Sequence, residues 1–294
     1  MKIVLTGSSG RVGRSIYNAI ANHHEIVGVD RTPFSTTSLL ADINDSSLLR
    51  AALQGADAVI HTAALHAPHV GVIADAEFHR VNVEATRNLA RLAGEAGVGR
   101  LVFTSTTALY GQAVEAGNCA WLDEDSQPRP RTIYHRTKLD AEQALADFAS
   151  PAFEVRVLRM ARSFPEPADQ MAIYRLHRGV DIRDVADAHL LALDNRGDPF
   201  QVFVVSAATP FLMEDRSALA SDAPSVIRLR APDVAAAFEK RGWRLPKTID
   251  RVYFSGKARR LLGFTPKYGF AEVLAQLDSG SMETLPCRPS SDTL

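Results

Sequence analysis

The sequence predicts an α/β fold, a doubly wound parallel sheet with a small C-terminal substrate lobe. Three observations carry this. Short β-branched apolar runs recur through the first 160 residues, helical patterns separate most of them, and the runs lack clean polar–apolar alternation. Strands covered on both faces have that last property, and strand–helix alternation marks a parallel sheet.

In chain order, residues 2–6 (Lys-Ile-Val-Leu-Thr) read as a buried strand, followed by the turn Gly7-Ser8-Ser9-Gly10. Arg11 to Asn22 reads as a helix with Val12, Ile16, Ala19 and Ile20 on one face. Glu25 to Asp30 is the second strand and Ser38 to Ala41 a short third. Ser47 to Leu53 reads as a helix and Ala56 to Thr62 as the fourth strand. Phe78 to Gly94 is a long helix with Val81, Ala85, Leu89 and Leu92 on its apolar face. A strand over Arg100 to Ser105, a helix over Ile133 to Phe148 and a strand over Phe153 to Arg159 follow. Composition changes near Pro165-Glu166-Pro167. That divides the chain into a first domain (1–164), a small lobe interleaved with the sheet (165–278) and a Ser-, Pro- and Thr-rich tail (279–294) expected to be mobile.

A chain of 294 residues with 46% apolar residues suits one large domain and a smaller lobe. The net charge of −1, with mixed signs along the chain, argues against nucleic acid or an anionic membrane as partner. Cys119, in an expected polar loop, and Cys287, in the tail, read as free thiols without assigned chemistry. The N-terminus lacks the apolar stretch of a signal peptide, and no run reaches the ~20 apolar residues of a membrane span, so the cytoplasm is the expected location.

Gly7-Ser8-Ser9-Gly10-Arg11-Val12-Gly13 is a GxxGxxG turn between the first strand and the first helix. Glycines there allow a tight turn and close approach to a pyrophosphate, and the helix N-terminus offers N–H groups to it. The first domain therefore reads as dinucleotide-binding. Asp30 ends the second strand roughly 20 residues later, where a carboxylate accepts hydrogen bonds from the adenosine ribose and repels a 2′-phosphate. NAD is thus the expected cofactor. Arg31 leaves NADP open, since a guanidinium can hold that phosphate.

Tyr134-His135-Arg136-Thr137-Lys138 is YxxxK on a helix, so phenol and ammonium share one face. A nearby cation is expected to lower the phenol pKa, making Tyr134 a general acid/base for a secondary alcohol or ketone. Lys138 could also hold the nicotinamide ribose. The hydroxyl cluster Thr104 to Thr107, at the end of a strand, could hold the substrate oxygen beside Tyr134.

Further landmarks are Asp42-Ile43, His61-Thr62-Ala63-Ala64, Asn82 between Val81 and Val83, and Thr104 through Gly111. Asp181-Ile182-Arg183-Asp184-Val185-Ala186 and Leu262-Gly263-Phe264-Thr265-Pro266 complete them. With the glycine turn and YxxxK, these motifs make residues 1 to about 278 resemble the extended short-chain dehydrogenase/reductase family, in its NAD-dependent epimerase/dehydratase branch. The resemblance implies a Rossmann sheet, with Asp42 and Ile43 bordering adenine and Ala63 and Ala64 the centre of NAD. It counts Gly7, Gly10, Arg11, Val12, Gly13 and Asn82 among the cofactor contacts. It aligns Thr106 with the catalytic Ser/Thr, with Ser105 as the neighbouring alternative. It also implies frequent homodimers.

Two departures narrow the expectation. Only 15 residues separate Pro165 from Asp181, where relatives acting on nucleotide sugars carry a longer clasp. Arg159 through Pro167 is similar to the matching stretch of uronate dehydrogenases, which favours a sugar, sugar acid or related polyol. Thr107 and Ala108 stand where the family's dehydratases carry acids, which argues against dehydration.

His61, His66, His69 and His79 match no standard zinc spacing, so no metal is expected. His66 and His69 lie in the loop after the fourth strand, at the carboxyl edge, and are candidate substrate contacts with Thr107. Arg162 and Arg183 could bind a carboxylate, surface pairing being the alternative. Trp121 and Trp243 read as packing residues. The leading expectation is an NAD-dependent dehydrogenase/reductase acting on a small molecule. The rivals are an epimerase and a non-catalytic NAD sensor of the same fold.

Overall fold

The strand β1 (Lys2–Thr6) alternates its side chains between two apolar layers. Ile3 and Leu5 face one core and Val4 the other, all with no exposed surface. The computed structural model describes residues 1–114 and 117–287. The remaining sheet strands are β2 (Glu25–Asp30), β3 (Leu39–Leu40), β4 (Ala58–His61), β5 (Arg100–Thr106), β7 (Glu154–Met160) and β8 (Phe200–Val205). With β6 (Ala120–Leu122) pairing elsewhere, they form one parallel sheet in the order β3-β2-β1-β4-β5-β7-β8. The chain moves outward from β1 to β3 and then returns to the far side of β1 at β4. The crevice between β1 and β4 is therefore the topological switch point, where open α/β sheets bind ligands.

Helices cover both faces. One core packs α1 (Arg11–Ile20) and α7 (Ile182–Asp194) on the sheet through Ile16, Ile20 and Val185. The other packs α2 (Ser46–Leu53), α4 (Ala85–Glu95) and α5 (Ile133–Phe148) through Leu49, Leu89 and Leu145. Each such buried Leu or Ile contributes roughly 1.5–3 kcal/mol of transfer free energy. The expected single helix over 78–94 begins earlier, as α3 (Asp75–His79), and passes through a π-helical turn at Arg80–Glu84. Asn82 sits in that turn and is buried.

The segment after Pro165 serves both parts of the molecule. It returns α7 and β8 to the sheet, and it builds a lobe from α6 (Ala168–His177), α8 (Arg216–Ser221), α9 (Ala223–Arg230) and α10 (Pro232–Lys240). The strand β9 (Arg251–Tyr253) pairs with β6, α11 (Gly256–Leu262) packs beside β8, and α12 (Phe270–Asp278) packs on α6. Met171, Phe211, Ile227 and Phe238 centre the lobe core. Cys119 belongs to that core, fully buried, instead of lying in a polar loop, because it leads directly into β6. Both cysteines are free thiols. Trp121 packs against Phe254 and Trp243 against Phe238.

Of the segment expected to be mobile, Leu285 runs beside the lobe, its N–H donating to Glu166 O at 2.9 Å while Ala168 N donates to Leu285 O at 3.0 Å. Residues 288–294 lie outside the described residues. Among the described residues no helix is long and apolar enough to cross a membrane.

Candidate active site

The carboxyl ends of β1, β4, β5 and β7 open on a cleft of about 660 Å³, within the range of small-molecule sites. At its first end lies the glycine turn. Gly7 has φ +74°, and an added Cβ would lie 2.5 Å from Thr62 Oγ1. A Cβ on Gly13 would lie 2.1 Å from Gly7 O, so the turn folds onto itself only because both side chains are missing. No side chain caps α1 at Gly10, which leaves the amides of its first turn to an anion. Gly7, Gly10, Arg11, Val12 and Gly13 all line the cleft.

Asp30 joins this wall through its Oδ2, which accepts from Ser9 N at 3.1 Å. Asp42 and Ile43 follow at the same end, and Asn44 N–H groups hold the Asp42 carboxyl below the usual carboxylate range. Ala63 and Ala64 form the middle of the cleft. Arg11 is engaged by Ser163 and by an ion pair with Glu283.

Tyr134, Lys138 and Thr106 all line the cleft. Thr106 Oγ1 accepts from Ala108 N at 3.1 Å and lies close enough to the Tyr134 phenol to draw it down. Lys138 is buried, donates from Nζ to Thr104 O at 2.7 Å and stands 3.8 Å over the Phe103 ring. Burial pushes its ammonium down to about 7, opposed by the charge of Glu142. Burial likewise pushes the Tyr134 phenol up to about 12, with Thr106 pulling it back. This corrects the expectation of a phenol lowered by its neighbouring cation. In this state desolvation dominates, and Lys138 spends its hydrogen bond on the β5 backbone.

The hydroxyl cluster divides by strand pleat. Thr104 Oγ1 bonds His189 Nε2 at 2.7 Å, Ser105 donates to buried Glu142, and Thr107 lies 3.4 Å from Met160 O. Of the four, Thr106 is the one that acts on the Tyr134 phenol, while Ser105 is turned onto Glu142.

Asn82 does not line the cleft. Its amide accepts from Leu65 N at 2.8 Å and donates to Leu65 O at 3.0 Å and Thr137 Oγ1 at 3.1 Å. It therefore ties the loop after β4 to α5 and acts at one remove from any ligand. His61 lies buried between Thr6 and Thr86, held neutral by burial. His66 lines the cleft and packs on His69 and Phe164. Arg183 pairs with Asp181 and Glu272 away from the cleft.

The far end carries residues that sequence reasoning missed. Arg131, Arg178 and Arg251 join Arg162 on the wall, with Thr107 and His135 beside them. Glu166 pairs with Arg162, and Asp250 serves both Arg251 at 2.6 Å and Arg178 at 3.8 Å. Arg162 and Arg178 flank the Tyr174 ring, and with Arg251 they set three guanidinium groups against two carboxylates, a local excess of positive charge. The carboxylates that do line the cleft, Asp30 and Asp42, are at the opposite end.

The model of the NAD dependent epimerase/dehydratase family matches residues 3–167, more than half of the chain. The chain belongs to this family. NAD is the family's cofactor, and the uncapped helix, the glycine turn and Asp30 fit it. An uncharacterised protein of Mycobacterium tuberculosis is 33% identical over 112 residues, 36% of this chain but only 12% of that protein's length. L-arabinose 1-dehydrogenase (NAD(P)(+)) of Haloferax volcanii is 28% identical over 180 residues, 58% of this chain and 69% of that enzyme. The solved structure of MoeE5 in complex with UDP-glucuronic acid and NAD superposes with a TM-score of 0.69 at 25% identity, covering 94% of this chain and 97% of MoeE5.

Proposed function

We propose that the protein is an NAD-dependent dehydrogenase/reductase that oxidises a secondary alcohol of a sugar acid, or reduces the matching ketone. The observation that carries this reading is that Tyr134, Thr106 and Lys138 line one cleft with the glycine turn and the arginines, Thr106 acting on the Tyr134 phenol. NAD, when bound, supplies the hydride acceptor. Thr106 orients the substrate oxygen, Tyr134 Oη takes or returns its proton, and Lys138, outweighed by desolvation in the free protein, would favour the phenolate once NAD and substrate complete the site. Gly7, Gly10, Arg11, Val12 and Gly13 would hold the diphosphate, Asp30 the adenosine ribose, and Asp42, Ile43, Ala63 and Ala64 the surfaces between.

Arg131, Arg162 and Arg178 are suited to an anionic group at the far end of the substrate, because guanidinium binds carboxylate bidentately. The short interval between Pro165 and Asp181 is filled by α6, which packs on α12 and leaves that end compact. That favours a free sugar or sugar acid over a nucleotide sugar; the likeness to an arabinose dehydrogenase supports the free sugar, and the arginines support the acid. Dehydration is disfavoured, because Thr107 and Ala108 follow Thr106 and no carboxylate of the described residues lines that end.

The test is a panel of sugars, sugar acids and nucleotide sugars, read by the near-ultraviolet absorbance of reduced nicotinamide. Net NADH formation with a hexuronate or aldonate is the expected result. Epimer formation without net NADH would overturn the dehydrogenase reading, and turnover of nucleotide sugars alone would overturn the substrate.

A further inference from the structure

Behind the catalytic pair lies a buried charged group that the proposed reaction does not use. Tyr134, Lys138 and Glu142 fall four residues apart on α5, and so on one face of the helix. Glu142 is buried, and three groups converge on it. Ser105 Oγ donates to its Oε1, and Arg159 donates from Nε at 3.1 Å and from its terminal nitrogen at 2.7 Å. Arg159 is itself fixed by Tyr110, whose hydroxyl it meets at 2.8 Å.

Ser105 is the residue between the two contacts of the catalytic pair. Thr104 on one side gives its carbonyl to Lys138, and Thr106 on the other lies beside the Tyr134 phenol and draws it down. A grip on Ser105 therefore sets both neighbours at once against α5. We propose that Glu142 is a positioning residue of this site, which locks the end of β5 to α5 through Ser105 and so fixes Thr104 and Thr106 on Lys138 and Tyr134 together. The ion pair with Arg159 of β7 holds the carboxylate in the dry interior, where an unpaired charge would be costly.

The charge has a second consequence. Burial drives Lys138 toward the neutral amine, and Glu142, one helical turn away, opposes it. Glu142 thus keeps the ammonium available to the phenolate of Tyr134. This inference rests on the Tyr134–Lys138 reading, and the experiment separates the two failures.

Ser105→Ala removes the grip without removing charge, and Glu142→Gln keeps the shape but removes the charge. Both are compared with wild type and Tyr134→Phe for NAD affinity, kcat and the pH dependence of alcohol oxidation. Ser105→Ala is expected to lower kcat about tenfold, from a small misplacement of the reacting groups, with NAD affinity and pH midpoint unchanged. Glu142→Gln is expected to lower kcat and to move the oxidation midpoint to higher pH by about one unit. A purely structural role would lower the melting temperature without moving that midpoint. Wild-type kcat in Ser105→Ala, or an unmoved midpoint in folded Glu142→Gln, overturns the inference. Ser105→Ala decides alone if Glu142→Gln fails to fold. Activity in Tyr134→Phe would instead overturn the catalytic reading itself.

Discussion

The two ends of the cleft are made in different ways. The cofactor end is backbone: a glycine turn, an uncapped helix N-terminus and one carboxylate at the tip of β2. The far end is side chain, with arginines from the approach to α5, the end of α6 and β9 converging from distant segments. A backbone site leaves a spacing in the sequence, because only glycine fits certain positions. A side-chain site leaves none, because arginines brought together by topology look like any surface arginines. The difference teaches that the cofactor end should be all-or-none to substitution and the far end graded.

The largest effect expected is at Gly13. A Cβ there would lie 2.1 Å from the Gly7 carbonyl, so Gly13→Ala must displace the turn. NAD affinity should fall on the order of 100-fold, by calorimetric titration of the folded variant. Unchanged affinity would dissolve the contrast between the two ends.

Next comes Arg178, which stacks 4.6 Å from the Tyr174 ring and, among the described residues, has the distant Asp250 as its one ion-pair partner. Arg178→Ala should raise KM for a sugar acid roughly 10–100-fold, the worth of one charged hydrogen bond. The parent neutral sugar should be turned over as before. Equal loss for both substrates would mean that the arginine supports the wall and does not read the anion.

The smallest effect is on pH dependence. Without NAD and substrate the phenol is pushed up to about 12, so Tyr134 of the free protein is protonated through neutral pH. Ketone reduction needs that proton and should stay flat from neutral to mildly alkaline pH. Alcohol oxidation needs the phenolate and should climb as pH rises. Measurement of kcat/KM in both directions checks the sign, and oxidation that falls with pH would contradict it.

Legibility followed the same division. The sheet strands through Met160 and the helix Ile133–Phe148 could be read because apolar runs and periodicity report burial on a regular element. The π turn at Arg80–Glu84 could not, since its side-chain pattern still resembles a helix. Nor could the role of Asn82, which depends on Leu65 of another segment. The lobe was opaque because its helices are short and its strands β6 and β9 have three residues each. Glu142 did carry a signal, four residues beyond Lys138 on the same face, but only the burial of Arg159 and Ser105 around it gives that spacing meaning.

The most direct test of the whole account is the pair of measurements on Tyr134→Phe. Removal of one oxygen from the phenol should cut kcat by roughly 10²–10⁴, the contribution of a positioned general acid/base, while NAD affinity stays within about twofold of wild type. Full activity in this variant would contradict the assignment of proton transfer to Tyr134.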